Sequence, residues 1–204
     1  MNISLWLNLI EAAPIAKHFA PTLSRSRSGL VAIGINSHNN LRSLYSVSCV
    51  LIKMKTIEWK NNKVRIIDQS KLPGKLVYLD LSNLRQLWRA IRRLKLRGAP
   101  AIGIAAAFGV VLGMRNSRAR TFAQFKRELK DVFGYLKKAR PTAINLFWAL
   151  ERMEKVAQEH CRESIPALKK LLLKEAQKII REDKDICRRI ARFGSKLIKH
   201  GDVI

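Results

Sequence analysis

Between Arg97 and Arg115 the chain carries no charged side chain: GAPAIGIAAAFGVVLGM runs from Gly98 to Met114. A stretch of this kind has to be withdrawn from water on all sides, in a bilayer or in a protein core. As a helix rising ~1.5 Å per residue it would span roughly 25 Å, short of the ~30 Å hydrocarbon core. It also begins with a proline and is built largely of alanine. A buried core helix is therefore predicted, and no membrane contact is expected. Gly109 and Gly113 even form a GxxxG within it, a pattern found in membrane-spanning helices, but the length and composition outweigh it.

The flanking sequence supplies what such a helix needs around it. TIEW (Thr56 to Trp59), the turn Asn61-Asn62 and VRIID (Val64 to Asp68) read as a hairpin of short strands. A third strand, LVYLD (Leu76 to Asp80), follows the Pro73-Gly74 turn. Ser82 is then expected to cap a helix running through Leu96, with Leu84, Leu87, Trp88, Ile91 and Leu94 on one face. Further amphipathic segments run from Thr121 to Lys138, from Pro141, and from Ser164 to about Lys199. Sheet first and helices afterwards predicts an α+β fold, a small antiparallel sheet followed by a helical domain.

Charge narrows the partners. Forty Lys and Arg against fifteen Asp and Glu give +25 at pH 7 in 204 residues, while 48% apolar content is ample for a core. Such a balance favours anions: phosphorylated metabolites, nucleic acid or acidic surfaces. The basic residues are spread along helix faces rather than clustered with aromatics, which argues against nucleic acid. Cys49, Cys161 and Cys187 form no CxxC and no Cys/His pattern, so neither a disulfide framework nor a metal site is expected, and a cytoplasmic setting is simplest. Residues 1–53 are rich in serine with Glu11 as their one acid. They are expected to be a disordered or non-native N-terminal extension.

Two stretches suggest where an anion binds. In RGAPAIG, Arg97 falls where one helix ends, Gly98 permits close backbone approach, and Pro100 suits the first turn of the next helix. The positive end of that helix would then point at whatever lies beside Arg97. A tight interhelical turn with a solvated arginine is the alternative. RPTAIN repeats the logic from Arg140, with Pro141 expected at the start of an apolar helix. Asn145 reads equally as a satisfied core amide.

These stretches carry a resemblance. KTIEWKNNKVRIIDQSKLP (Lys55 to Pro73), LRGAPAIG (Leu96 to Gly103), AAAFGVVLG (Ala105 to Gly113), ARPTAINLFWALERM (Ala139 to Met153) and Glu182-Asp183 closely resemble the methylthioribose-1-phosphate isomerases. Their wider family includes translation-initiation-factor 2B regulatory subunits and ribose-1,5-bisphosphate isomerase. The resemblance implies a strand-plus-helix domain over 54–163. A long connecting helix and the start of a Rossmann-like α/β domain, most of it lacking here, would follow over 164–204. It implies conversion of 5-methylthioribose 1-phosphate to 5-methylthioribulose 1-phosphate in methionine salvage, without a cofactor, by a homodimer in full-length members. Substrate contacts carry over onto Arg97, Gly98, Ala99 and Arg140. The family's reactive cysteine, in a THCNAG-like strand end, and its aspartate lie beyond HGDVI, so no catalytic residue is assigned and the chain is expected to be an inactive fragment. Cys161 and Cys187 are expected to be buried packing thiols, and His160 and His200 surface residues near helix ends. The alternative is a non-catalytic regulatory subunit related to the initiation-factor proteins.

Overall fold

The uncharged run is a helix, and the other core elements are laid against it. The computed structural model describes residues 21–25, 31–35 and 54–198. The extension expected over 1–53 falls outside the described residues, apart from β1 (Pro21–Arg25) and β2 (Val31–Ile35), which pair antiparallel. The site lies in the compact unit Lys55–Asp185.

In that unit β3 (Ile57–Lys60) and β4 (Lys63–Ile67) are joined by Asn61 and Asn62, with φ of 49° and 57°. Two successive left-handed residues are what a tight hairpin turn requires, and asparagine tolerates that conformation better than most residues. β5 (Tyr78–Leu81) pairs with the other side of β4, giving an antiparallel sheet in the order β3-β4-β5. Ile57 lies opposite Ile66, and Val64 opposite Leu81; all four are buried against the helices. On the other face Arg65 grips Asp80 through two hydrogen bonds of 2.7 and 2.8 Å.

Five helices follow: α1 (Leu84–Arg92), α2 (Ala99–Met114), α3 (Phe122–Lys137), α4 (Ile144–Glu159) and α5 (Ile165–Gly194). Two boundaries differ from expectation at α1. Asn83 is the cap, its Oδ1 accepting from the Gln86 N–H at 2.9 Å, while Ser82 donates its N–H and hydroxyl to the Gln86 side-chain oxygen. The helix also ends at Arg92 rather than Leu96, because Leu94 turns left-handed with φ 56° and the Lys95 N–H returns to the Ala90 carbonyl. The last helix likewise stops at Gly194, short of Lys199.

Every residue of α2 from Ala101 to Leu112 is buried, so the core reading of the uncharged run holds. Among the described residues no helix is long and apolar enough to cross a membrane. The GxxxG serves packing within the unit: a Cβ on Gly113 would lie 2.8 Å from Val132 Cγ2 of α3, and one on Gly109 would press on Leu87 of α1 and Leu136 of α3. From the sheet side Trp59 stacks on Phe108, with centroids 5.4 Å apart and rings inclined by 16°. Leu168, Leu172, Ala176 and Ile179 of α5 join the same core. With Phe108 fully buried, truncating it to alanine should cost ~3–5 kcal/mol.

Candidate functional site

The helix starts divide into two kinds. α1 is capped by Asn83, α3 by Thr121 in a capping box with Gln124, and α5 by the Ser164 hydroxyl, which accepts from the Ala167 N–H at 3.4 Å. α2 and α4 have no side-chain cap. These are the two helices preceded by Arg97 and Arg140. At α2 the cap position is Gly98, whose φ of 95° is strained for any L side chain and which has no group of its own to offer. The first-turn N–H groups of Ala99 and Ala101 therefore lack a capping side chain, and Pro100 brings no N–H to satisfy.

The two helices also pack together close to these starts. A Cβ on Gly103 would fall 2.9 Å from the backbone oxygen of Asn145, so the second turn of α2 abuts the first turn of α4. Asn145, read equally as a core amide, sits at this crossing and is partly buried. Arg97 is exposed, its Nε donating to the Leu94 carbonyl at 3.1 Å; Arg140 is partly buried. Pro141 is not at the helix start as expected. The Ala143 N–H bonds back to the Arg140 carbonyl at 3.1 Å, closing a turn, and α4 begins at Ile144.

A buried carboxylate fixes the turn that carries Arg97. Asp68 is 2% exposed; its Oδ2 accepts from the Lys95 ammonium at 2.7 Å and its Oδ1 from the Ser70 hydroxyl at 2.6 Å and N–H at 3.2 Å. The Gln69 N–H donates to the Lys95 carbonyl at 2.9 Å. Residues 94–97 are thus tied to the DQSK turn through side chain and main chain together. Burial opposes ionisation of Asp68, but the hydrogen bonds from Lys95 and Ser70 outweigh it and hold the carboxyl below its ordinary range. Sequence reasoning missed this clamp. Its signal was the single acid ending the apolar run VRIID just before a turn.

A second ionic cluster joins α4 to α5. Arg152 donates to Glu175 at 2.6 Å and to both oxygens of Glu182 at 2.5 and 2.9 Å, and its guanidinium lies 5.5 Å from the Trp148 ring centroid. The Arg152 hydrogen bonds lower the Glu182 carboxyl, whereas burial raises that of its neighbour Asp183. Of the cysteines, Cys187 is buried as expected, but Cys161 is exposed, because it follows the end of α4 in a turn rather than facing the core. His160 ends α4, with Nδ1 2.9 Å from the Val156 carbonyl. Cys49 and His200 lie outside the described residues. Among the described residues no three His, Cys, Asp or Glu side chains gather as a metal site would need.

Residues 95–204, beginning two positions before Arg97, match the model of the Initiation factor 2 subunit family. The chain belongs to that family. Among its relatives, the methylthioribose-1-phosphate isomerase of Geotalea uraniireducens is 46% identical over 153 residues, which make up 75% of this chain and 44% of that protein. The 5-deoxyribose 1-phosphate isomerase of Moorella thermoacetica is 44% identical over 148 residues, 72% of this chain and 42% of that protein. The chain thus spans less than half the length of the relatives it matches. Family members of known structure share the fold. The 5-methylthioribose 1-phosphate isomerase of Pyrococcus horikoshii aligns with a TM-score of 0.60 at 40% identity, over 64% of this chain and 37% of that one. The delta subunit of initiation factor eIF-2B from A. fulgidus aligns with a TM-score of 0.67 at 36% identity, over 74% and 43%. The α+β architecture and the family resemblance read from the sequence both stand.

Proposed function

We propose that this chain carries the phosphate-binding part of an aldose-ketose isomerase acting on 5-methylthioribose 1-phosphate in methionine salvage. Isomerisation to the ketose shifts hydrogen from C2 to C1 and leaves the phosphate on C1, so the anion has to be held while the neighbouring carbons react. The observation that carries the reading is that two uncapped helices, each preceded by an arginine, pack with the second turn of α2 against the first turn of α4 at Gly103 and Asn145. In this role the Arg97 fork grips two phosphate oxygens, the Ala99 N–H and the α2 dipole add to it, Gly98 lets the ligand come close, and Arg140 contributes from the turn that precedes α4. The isomerase relatives, named for ribose 1-phosphates whose C5 bears a methylthio group or hydrogen, support the substrate class.

In this reading the proton-transfer groups, a cysteine and an aspartate, come from sequence outside residues 54–198, and the 204-residue chain binds substrate without turning it over. Neither cysteine among the described residues adjoins the α2 start in sequence: Cys161 follows α4 and Cys187 belongs to α5. The reading includes a cytoplasmic setting, supported by cysteines that form no disulfide among the described residues, and a homodimer, for which the exposed Ile144 (81%) and Trp148 offer apolar surface. A non-catalytic regulatory role is the second reading, favoured by the fold match to the initiation-factor subunit. Calorimetric titration with 5-methylthioribose 1-phosphate tests the site. Binding should weaken at least ~10-fold in Arg97→Ala and in Arg140→Ala, and 5-methylthioribose without phosphate should not bind. Equal affinity in all three proteins would sink the assignment.

A further inference from the structure

A cavity of about 310 Å³ opens between the edge strand β5 and helix α1, lined by none of the four residues assigned above. Its apolar part is Leu79, Leu81 and Ala90. Its polar part is Gln86, Arg89 and Arg93 of α1 with Lys95, and Asp80 of the strand. We propose that this cavity is a second anion site, taking a small phosphomonoester whose neutral body lies on Leu79, Leu81 and Ala90.

The polarity of the lining carries the inference. Asp80 is its one carboxylate, and Arg65 occupies both of its oxygens. The Gln86 oxygen accepts from the Ser82 N–H at 2.8 Å and hydroxyl at 3.1 Å, and its NH2 group has no partner among the described residues. Lys95 spends one of its three donors on Asp68. Arg89 and Arg93 form no ion pair among the described residues, although like charges four apart on a helix repel one another. The side chains of the cavity thus present donors with almost no free acceptor, and the group that answers them is one with acceptors only and a double negative charge. Phosphate is that group, and guanidinium forks match its geometry.

The C-terminal dipole of α1 attracts cations to this end of the helix, but it does so whichever way they face. It does not call for two guanidiniums, an ammonium and a carboxamide NH2 lining one concavity. The size, at the low end of the ~300–1,000 Å³ usual for small-molecule pockets, suits a metabolite, and no aromatic side chain is present to stack a nucleic-acid base. Lys95 belongs both to this cavity and to the Asp68 clamp, so an anion here would draw on the turn that carries Arg97.

The full chain, labelled with 15N, is titrated with phenyl phosphate and with inorganic phosphate. Amide shifts should centre on Leu79, Leu81 and Ala90, with phenyl phosphate the tighter of the two because its ring covers the apolar floor. The double variant Arg89→Ala/Arg93→Ala, both exposed positions, should weaken phenyl phosphate by at least ~10-fold as read at the Leu79, Leu81 and Ala90 amides. The control is Arg118→Ala/Arg120→Ala, which removes the same charge elsewhere and should change affinity by less than about twofold. The proposal is overturned if the control weakens binding as much as the test pair, which would mean attraction by net charge alone. It is also overturned if the shifts centre on Ala99 and Ala101 and vanish with Arg97, which would leave the helix-start site intact as the sole anion site.

Discussion

Gly103 and Asn145 touch backbone to backbone: a side-chain carbon on the glycine would stand 2.9 Å from the Asn145 oxygen. Main chain cannot yield as a flexible side chain can. Gly103→Ala should therefore prise α4 from α2 and destabilise by ~1–3 kcal/mol, read as a lower urea midpoint at unchanged m-value. Gly134→Ala is the contrast. It is exposed in the last turn of α3 with nothing within 4 Å of the added carbon, and should stabilise by ~0.5–1 kcal/mol. Equal effects at the two glycines would refute the close crossing.

The Asp68 clamp sets a sign for the acid limb of stability. A carboxyl depressed in the folded state contributes fully above its unfolded pKa, ~3.9, and the contribution is lost as pH falls through the folded value. The clamp's contribution should be flat from neutrality to about pH 5 and fall below about pH 4. Asp68→Asn should cost ~1–3 kcal/mol at pH 7 and flatten that fall. Lys95→Ala should cost at least as much, because it strands a buried carboxylate with Ser70 alone. Unfolding by urea at pH 7, 5 and 3.5 checks all three proteins, and an acid limb unchanged in Asp68→Asn would count against the clamp.

Joining residues 1–204 to the remaining length of an isomerase relative supplies the groups assigned to sequence outside 54–198. The chimera should isomerise 5-methylthioribose 1-phosphate. Within it Arg97→Ala and Arg140→Ala should each lower kcat/KM by ~10- to 100-fold, and Arg97→Lys should also be harmful, since an ammonium cannot hold two oxygens as a planar fork does. Lys130→Glu, on an exposed face of α3, should change it by less than about twofold. Arginine variants that leave the efficiency intact would reduce RGAPAIG to a helix-to-helix turn.

Arg152 should matter more than any other ion pair in α4. Arg152→Met leaves Glu175 and Glu182 without their shared guanidinium and should destabilise by ~1–3 kcal/mol, whereas Lys155→Met, which breaks an exposed 3.8 Å pair with Glu159, should cost under ~0.5 kcal/mol. Thermal midpoints of the two variants decide the ranking.

What the sequence made legible follows from the range of the forces involved. The Asn61-Asn62 hairpin, the amphipathic segment from Thr121 and the burial of α2 depend on neighbours in sequence or on simple exclusion of charge from a core, and all three were readable. The end of α1 was not, because apolar periodicity continues through Leu94 while a left-handed backbone, tied down by the remote Gln69 and Asp68, breaks the helix. Pro141 misled for a related reason. Proline suits a first helical turn, but it suits an ordinary turn equally, and the Ala143 to Arg140 hydrogen bond decided between them. At the candidate site the arginines announced themselves, whereas Asp68 and Lys95, separated by 27 positions, required the fold.

Because α2 is sheathed along nearly its whole length, its peptide dipoles are shielded from mobile ions. Surface charges more than ~8 Å apart are largely screened at physiological ionic strength, so most of the formal +25 is muted in a cell. The field at the open end of a sheathed helix fades less steeply with salt than that of a solvated lysine. Of the anion attraction proposed for this protein, the share that the α2 backbone supplies would then persist at salt concentrations that silence its scattered surface lysines.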